Sequence, residues 1–403
     1  MIRRLSLASA VLALVVGFFA PVNVSAELAD GWDYRPLSLS GTYKTVVGQF
    51  AGDGATDILF YGPGAAGDSL WIGNAGVRGS SVSGGFTKVT MSIGGDFIPV
   101  VGDFGGDDFD DILFYGLGSA ADSLWISVDT PARFDKTRKV SVGGAYQPKV
   151  LHDYRSRGAK DDILFLGPGS AKDYYWHFAD KTTSPYIAPS TYTSRELKVN
   201  GAYQLVIGDF SGDFLEDVVL YQQGTAPDYK WVSTVAGAFT QTSLSMAGFY
   251  KPVTIFGEFR DSILWWGNGT GAPRFWRSTG STFQNVPIDP ADVAATVVPA
   301  GLDGALIEVP GPLPDAQDFY FQEGPVRDFF ELAGTTHDQT TARPLVGDFD
   351  DDGYIDVAWY GPGTQRDELW FTDPGAGAPA GSGRAAPGAT PGRAVKPTPL
   401  VTR

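Results

Sequence analysis

Cysteine is absent from this chain, and only three histidines and three methionines occur among its 403 residues. The absence of cysteine excludes disulfides, thiol catalysis and lipid attachment through a cysteine. His152, His177 and His337 are far apart in sequence, which argues against a histidine-rich zinc or catalytic site. Stability must therefore come from core packing or from a bound metal.

Basic residues are also scarce, since 46 Asp and Glu face 30 Lys and Arg and give a formal net charge of −16. A protein with a net negative charge repels phosphate groups. Nucleic acid and anionic membrane surfaces are therefore not expected as partners.

Long hydrophobic runs are missing except near the start of the chain. Arg3 and Arg4 precede an apolar run from Leu5 to Ala20, and small residues lead to a cleavage site after Ala26. This pattern predicts a secretory signal over residues 1–26 and a secreted, extracellular product without a later membrane span. Residues 374–403 are rich in Pro, Gly and Ala and carry basic side chains without acid, which predicts a disordered basic tail, with cell-wall association left open.

Between these segments the sequence repeats itself. The phrase "VVGDFGGDDFDDILFYGLGSAADSLW" at 100–125 recurs with variation, and an aromatic anchor follows the end of each apolar run after ten residues. The seven copies start near residues 46, 100, 150, 206, 255, 297 and 345.

Each copy predicts four short strands. Runs such as "ILFYG" and "VVGDF" are β-branched and aromatic, lack alternation and are bounded by Gly, Pro and Asp, as in strands buried on both faces. A fourth strand precedes a Gly turn, as in "LSMAG" at 244–248. Four strands in 40 to 50 residues are typical of a propeller blade, so we expect an all-β, seven-bladed β-propeller over 27–373.

The seventh copy lacks a fourth strand of its own. The segment "LSLSG" at 37–41 nearly copies "LSMAG" at 244–248. We therefore predict that residues 34–41 form the outer strand of the last blade and close the ring, which removes exposed sheet edges.

The stretch "DFDDDGYID" at 348–356 gathers carboxylates that repel each other unless a cation neutralises them. Alternate positions place Asp348, Asp350 and Asp352 on one side of a tight loop, Asp356 closes the shell, and the Tyr354 carbonyl adds a neutral ligand. Hard oxygen donors in a flexible loop suit calcium. The alternative is a solvated acidic turn, because Asp and Gly are ordinary turn residues.

The pattern Asp-x-Asp-x-Asp-Gly-x-x-Asp resembles the calcium loop of FG-GAP repeats, found in integrin-alpha propellers and in bacterial VCBS-type proteins. The neighbouring "GDF" and "YGPG" stand where that family has its name-giving motifs. The resemblance covers residues 33–373, and it implies a propeller with calcium in these loops.

Other copies retain parts of this loop. In copy two, Asp108 replaces the glycine, and in copy four Phe214 does. In copy three, Arg155, Arg157 and Lys160 surround Asp153 and Asp162, so fixed side-chain cations could replace the ion, while copies five and six delete most of the loop. The predicted ligands are Asp103, Asp107 and Asp111 in copy two, Asp209, Ser211, Asp213 and Asp217 in copy four, and Asp53 and Asp57 in copy one.

The remaining recurrent residues fit structural roles. One Trp per copy at a fixed position is expected to pack between blades, and Asp68, Asp122, Asp173, Asp228 and Asp367 are expected to cap hairpin turns through backbone amides. Ligand contacts are expected instead on the "GPG" turns and on the variable stretches 73–86, 177–194 and 277–296, which hold Tyr186, Tyr192 and Phe283.

These observations favour a secreted, monomeric, non-catalytic binding or adhesion module stabilised by one to about four structural calcium ions. Its ligand would be an extracellular protein or glycan. A propeller lectin is one alternative. A polysaccharide lyase is another, although no base stands out from the repeat background.

Overall fold

The computed structural model describes much of the chain between Trp32 and Thr372. The described residues are 32–37, 39–63, 67–74, 85–128, 133–156, 158–179, 192–199, 201–255, 259–267, 274–286, 296–299, 304–310, 317–323, 328–332, 343–351, 356–364 and 367–372. The predicted signal segment, the basic tail, His337 and Tyr186 lie outside them.

All regular elements in these ranges are β-strands, grouped in antiparallel four-stranded sheets. Sheet one contains β2 (Lys44–Gly48), β3 (Asp57–Tyr61), β4 (Asp68–Ile72) and β5 (Thr87–Met91). Sheet two contains β6 (Ile98–Gly102), β7 (Asp111–Tyr115), β8 (Asp122–Val128) and β9 (Arg133–Val140). Sheet three contains β10 (Gln147–Leu151), β11 (Asp162–Leu166), β12 (Asp173–Phe178) and β13 (Tyr192–Leu197). Sheet four contains β14 (Gln204–Gly208), β15 (Asp217–Tyr221), β16 (Asp228–Thr234) and β17 (Ala238–Leu244).

The second half of the chain repeats the arrangement. Sheet five contains β18 (Tyr250–Ile255), β19 (Ser262–Gly267), β20 (Arg274–Ser278) and β21 (Phe283–Val286). Sheet six, of which only the backbone strands and their pairing are described, contains β22 (Thr296–Pro299), β23 (Gly304–Pro310), β24 (Gln317–Glu323) and β25 (Asp328–Leu332). Sheet seven contains β26 (Arg343–Gly347), β27 (Asp356–Tyr360), β28 (Asp367–Thr372) and β1 (Trp32–Leu37). The predicted all-β class is confirmed, and repeated four-stranded sheets are consistent with a β-propeller.

The core lies between neighbouring sheets. The second strands are buried on both faces, whereas the fourth strands, such as β5, are largely exposed. One buried cluster combines Tyr61 of sheet one with Phe114 and Trp125 of sheet two, and the Phe114 and Trp125 rings meet at 4.8 Å. Similar clusters join sheets two and three, three and four, and four and five. A single sheet therefore cannot bury its faces without its neighbours.

The recurrent tryptophans belong to this core, as predicted. Trp71, Trp125, Trp176, Trp231 and Trp370 are all buried. An indole at this place fills the space between two sheets rather than stacking on a ligand.

Sheet seven joins the two ends of the described chain. Strand β1 pairs antiparallel with β28, and β2 of sheet one contacts β26. A shared buried cluster contains Phe60 and Phe86 of sheet one with Tyr360 and Phe371 of sheet seven. Sheets one and seven are therefore packed against each other.

The outer strand of sheet seven covers the first half of the predicted segment and begins two residues before it. We predict residues 34–41, but β1 spans Trp32–Leu37, and of the "LSLSG" residues after Leu37 the described ones, 39–41, lie outside the strand. The match to sheet four explains the offset, because β17 also ends at the first residue of its "LSMAG", Leu244. The copied motif marks where the strand stops.

Hairpin-capping aspartates repeat the same pair of bonds in five sheets, as predicted. One carboxylate oxygen accepts the amide of the turn six residues earlier, and the other accepts an amide beyond the fourth strand. The pairs are Gly62 and Ile93 for Asp68, Gly116 and Val142 for Asp122, Gly167 and Val199 for Asp173, Gln222 and Met246 for Asp228, and Gly361 and Leu39 for Asp367. In sheet seven the second amide therefore comes from Leu39, near the other end of the chain, whereas in the other four sheets it comes from the same copy as the aspartate.

Membrane-spanning helices are not found among the described residues, where no helix is long and apolar enough to cross a bilayer.

Candidate metal loops and an inter-sheet cavity

Five sheets carry an acidic segment between their first and second strands. We call these segments the acid loops; they comprise residues 49–57, 103–111, 152–162, 209–217 and 348–356 of sheets one, two, three, four and seven. Each acid loop ends in a fully or largely buried Asp that begins the second strand. This placement puts the carboxylates between neighbouring sheets.

The terminal aspartates hold the loop to the rest of the sheet. Asp57 accepts the amides of Phe50 and Ala51 at 2.8 Å and that of Gly73 at 2.9 Å. Asp111 accepts the amides of Gly105 and Ser127 in the same way. Burial raises the pKa of both carboxyls well above the usual range, and nearby aspartates raise it further.

The acid loop of sheet seven brings three predicted ligands together. Carboxylate oxygens of Asp348, Asp350 and Asp356 all lie within 4.8 Å of one another, and Asp350 and Asp356 are buried. Asp352 and Tyr354, the other predicted ligands, lie outside the described residues. Three hard oxygen donors at this separation fit a calcium ion.

The acid loop of sheet two is shaped mainly by Asp103. Its carboxylate accepts the amide of Gly106 at 2.5 Å and that of Asp108 at 2.8 Å. Asp107 accepts the amide of Phe109 at 3.2 Å. Among the residues that the structure describes, only Asp348, Asp350 and Asp356 bring three carboxylate oxygens within 4.8 Å of one another. The carboxylate oxygens of Asp103, Asp107 and Asp111 therefore lie farther apart.

Both replacements of the loop glycine adopt the left-handed backbone that the sequence motif requires. Asp108 has φ of 69° and Phe214 has φ of 67°. Such φ values are uncommon in residues other than glycine. The Phe214 side chain is exposed, so burial of its ring does not offset the backbone strain. The loop shape is thus kept in sheet four despite the missing glycine.

In sheet four the predicted ligands adopt the same hydrogen-bond scheme. Asp209 accepts the amides of Gly212 at 2.7 Å and Phe214 at 2.9 Å, and the Ser211 hydroxyl lies 3.4 Å from its Oδ1. Asp213 accepts the amide of Leu215 at 3.0 Å. Asp217 accepts the Ser233 amide through Oδ1, whereas its buried Oδ2 has no hydrogen-bond partner. Burial raises the pKa of Asp217 to about 7.

Sequence reasoning missed a buried lysine beside this loop. Lys230 is fully buried on β16 and donates from Nζ to the carbonyl oxygens of Gly280 at 2.6 Å and Phe210 at 3.3 Å. Burial lowers the pKa of Lys230, while the charges of Asp217, Asp209 and Asp213 act to raise it. Its position, just before the recurrent Trp231, is the signal that could have identified it.

Sheet one has fewer acidic ligands, as expected from its sequence. The Gln49 side-chain amide donates to the Gly54 carbonyl at 2.7 Å, so this side chain bridges the acid loop. Burial raises the pKa of Asp53, and the charge of Asp351 in the sheet-seven loop raises it further.

In sheet three the acid loop contains its own cation. The Arg155 guanidinium pairs with both carboxylate oxygens of Asp153, with Nε at 3.0 and 3.1 Å and Nη2 in closer contact. A forked guanidinium matches a carboxylate in this way. The structure thus brings Arg155 to the place where we expected a fixed cation; Arg157 lies outside the described residues.

The terminal aspartate of sheet three is held by side chains as well. His177 Nδ1 lies 2.9 Å from Asp162, the Tyr175 hydroxyl donates to the same carboxylate, and the Phe178 amide donates at 2.7 Å. Burial raises the pKa of Asp162, while these bonds act to lower it. Neighbouring side chains thus supply hydrogen bonds to this carboxylate.

A second set of acidic residues, which sequence reasoning also missed, joins neighbouring sheets. The Gln49 amide donates to Asp110 Oδ2 at 2.7 Å, and the Asp110 amide donates back to the Gln49 carbonyl at 2.9 Å. Asp161, Glu216 and Asp261 form the same two-bond contact with Asp103, His152 and Asp209. Between sheets seven and one the Thr56 amide donates to the Asp348 carbonyl at 2.6 Å, and Thr56 occupies the place of the acid. We call these four acids the inter-sheet clasps. The sequence did not reveal them, because a pattern within one copy does not show a bond to another sheet.

A cavity of about 460 Å³ lies between sheets three and four, at the end of the sheets that carries the "GPG" turns. Of the described residues that line it none is charged, and they include Gln147, Gln204, Gln222, Gln223 and Tyr203. Gln222 and Gln223 replace the Gly-Pro pair found at 62–63, 167–168 and 361–362. The cavity is therefore a local departure from the repeat, with amides as hydrogen-bond donors and acceptors.

Two aromatic residues predicted to lie on ligand-facing loops are packed instead. Tyr192 belongs to β13, and its ring stacks on Trp176 at 3.9 Å. Phe283 belongs to β21 and contacts Trp276 and Phe210. The strands extend further than the glycine turns suggested, so these rings cover tryptophans.

Comparisons with known proteins leave the family open. No protein-family model matches the sequence, and no curated protein matches it. Among solved structures, the fold is similar to the crystal structure of a protein from Lactobacillus plantarum, with a TM-score of 0.42 and 12% identity over 76% of this chain and 100% of that one.

Proposed function

We propose that this protein is a secreted, seven-bladed β-propeller of the FG-GAP type, closed by its N-terminal strand and stabilised by calcium. It acts as a non-catalytic binding or adhesion module for an extracellular ligand. The observation that carries the calcium proposal is the group of Asp348, Asp350 and Asp356 oxygens within 4.8 Å. Calcium would supply the charge that lets these three carboxylates, two of them buried, stay ionised together.

Ring closure is supported by the bonds that β1 and the following turn make in sheet seven. The Asp367 contact to Leu39 and the bridge between Gly41 and Gly363 reproduce the Asp228 contact to Met246 and the bridge between Gly224 and Gly248 in sheet four. A blade assembled from both chain ends would make calcium binding in its acid loop a stabiliser of the whole ring.

Thermal unfolding with calcium and with a chelator tests the proposal. An ion bound only to the folded state adds about 2.7 kcal/mol at a hundredfold excess over its dissociation constant. We expect the melting temperature to fall on chelation in the wild-type chain, and to fall much less in Asp350→Asn. An unchanged melting temperature in the wild-type chain would exclude structural calcium.

A lectin is the second candidate, and the uncharged cavity between sheets three and four favours it. Side-chain amides next to a tyrosine offer the paired donors and acceptors that a neutral sugar ring requires. A neutral glycan array, probed with the wild-type protein, with Gln222→Ala/Gln223→Ala and with the control Gln284→Ala on exposed β21, tests this. Binding lost only in the double variant supports a lectin, whereas no binding to any glycan removes it and leaves a protein ligand.

A further inference from the structure

The acid loop of sheet four retains all four predicted ligand residues, although its carboxylates, like those of sheet two, are not grouped within 4.8 Å among the described residues. It differs from the loops of sheets two and seven in one buried position. The residue in question pairs across the sheet with the third residue of the second strand. It is Leu124 opposite Leu113 in sheet two, Leu369 opposite Ala358 in sheet seven, and Lys230 opposite Val219 in sheet four. Leu124 and Leu369 are buried hydrophobic residues, whereas Lys230 is a buried cation.

The lysine head group is held beside the loop by carbonyl oxygens. Its Nζ donates to Phe210, the residue directly after Asp209, and to Gly280 in the turn between β20 and β21. A fully buried ammonium is stable only when it is hydrogen-bonded and faces opposite charge. Its hydrogen bonds go to carbonyl oxygens, while the charges of Asp217, Asp209 and Asp213 act on it through space and raise its pKa against the effect of burial.

Asp217 accepts the Ser233 amide through Oδ1, but its buried Oδ2 has no hydrogen-bond partner, so this second oxygen depends on nearby positive charge. Asp111, the matching residue of sheet two, bonds through both oxygens. Sheet four thus combines a carboxylate oxygen without a hydrogen-bond partner and a fully buried lysine of its own third strand, whereas the buried lysine that packs against Gly106 of the sheet-two loop, Lys160, belongs to sheet three.

We propose that Lys230 is a built-in counter-ion of the sheet-four acid loop, which takes the place of the metal and keeps this loop free of calcium. The inference rests on the proposed function only in that calcium binds the acid loop of sheet seven. It replaces the sequence-based expectation of a metal at Asp209, Ser211, Asp213 and Asp217. The pairing of Arg155 with Asp153 in sheet three is a second example of the same replacement.

The first test removes one carboxylate at the same register of two loops. Asp107 and Asp213 each accept the amide two residues later, at 3.2 and 3.0 Å, so Asp107→Asn and Asp213→Asn are matched variants. Calcium ions per folded chain are counted by equilibrium dialysis with ⁴⁵Ca. The inference predicts that Asp213→Asn loses no ion. Loss of one ion in Asp213→Asn would overturn it, whereas the result for Asp107→Asn bears on the proposed function alone.

The second test removes the counter-ion. Lys230→Leu introduces the residue that sheets two and seven carry, and the exposed Lys172→Leu serves as the charge-matched control. We expect Lys230→Leu to bind one additional calcium ion and to show a larger calcium-induced rise in melting temperature than the wild type, with Lys172→Leu unchanged. A folded Lys230→Leu with no additional ion would overturn the inference, and if that variant does not fold, Asp213→Asn decides.

Discussion

Sheets three and seven are both antiparallel sheets of four strands. They differ in which parts of the chain supply the strands and in the charged side chains of their acid loops. Sheet three is one continuous stretch from Gln147 to Leu197, whereas sheet seven recruits β1 from the other end of the chain. Sheet three pairs Asp153 with Arg155, whereas sheet seven gathers Asp348, Asp350 and Asp356. The difference teaches that the capping bonds are the same in both sheets, whereas a guanidinium pairs with the acid-loop carboxylate in sheet three and three carboxylates lie together in sheet seven.

The largest expected effect compares the capping aspartates of the two sheets. Asp173→Ala and Asp367→Ala each leave two backbone amides without their acceptor, at Gly167 and Val199 or at Gly361 and Leu39. Each unsatisfied buried group costs about 1–3 kcal/mol, so we expect each variant, with two such groups, to lose about 2–6 kcal/mol in urea unfolding. Asp96→Ala, at an exposed residue, is the control.

If sheet seven depends on β1, Asp367→Ala destabilises the protein at least as much as Asp173→Ala. A much smaller loss in Asp367→Ala would show that the N-terminal strand does not contribute to the fold.

The internal cation of sheet three gives the next effect. Arg155→Ala leaves the buried Asp153 carboxylate without its partner, and because Arg155 is partly exposed we expect a loss of about 1–3 kcal/mol. Urea unfolding measures it with calcium and with a chelator. The loss should be equal in both, and a loss present only with calcium would mean that sheet three also binds metal.

In sheet seven, the presence of calcium should decide whether Asp350→Asn raises or lowers the free energy of unfolding. Asp350→Asn removes one of three clustered charges, so with chelator it should raise the free energy of unfolding by up to about 1 kcal/mol. With calcium it should lower this free energy, because a ligand is lost. Thermal unfolding under both conditions measures the reversal, and destabilisation by the same amount in both would contradict a metal site.

The smallest effect is expected at the surface of sheet three. Lys172 and Glu196 pair at 2.7 Å with both side chains exposed. Such pairs contribute about 0–1 kcal/mol. A double-mutant cycle with Lys172→Ala and Glu196→Ala measures the coupling, and a value equal to that of Arg155 and Asp153 would remove the distinction between surface and loop pairs.

Fixed spacings predicted much of the fold and of the acid loops. The ten-residue interval located buried Trp125 and Trp370, and the capping role of Asp228 and Asp367 followed from turn chemistry. These features are local, so they recur together in sheets one, two, three, four and seven.

Features that depend on another sheet were not predictable from the repeat. Asp110 bonds to Gln49 across a sheet boundary, and β1 extends upstream of its recognisable motif because the outer strand only needs to pair with β28. Lys230 occupies a position that is hydrophobic elsewhere, and only the buried contacts show that it faces the sheet-four loop.

Crystals grown with calcium, measured for anomalous scattering, test the central claim most directly. The account predicts an ion bound by Asp348, Asp350 and Asp356 in sheet seven, and none in the sheet-three or sheet-four acid loops. A sheet-seven loop without an anomalous peak at saturating calcium would contradict it.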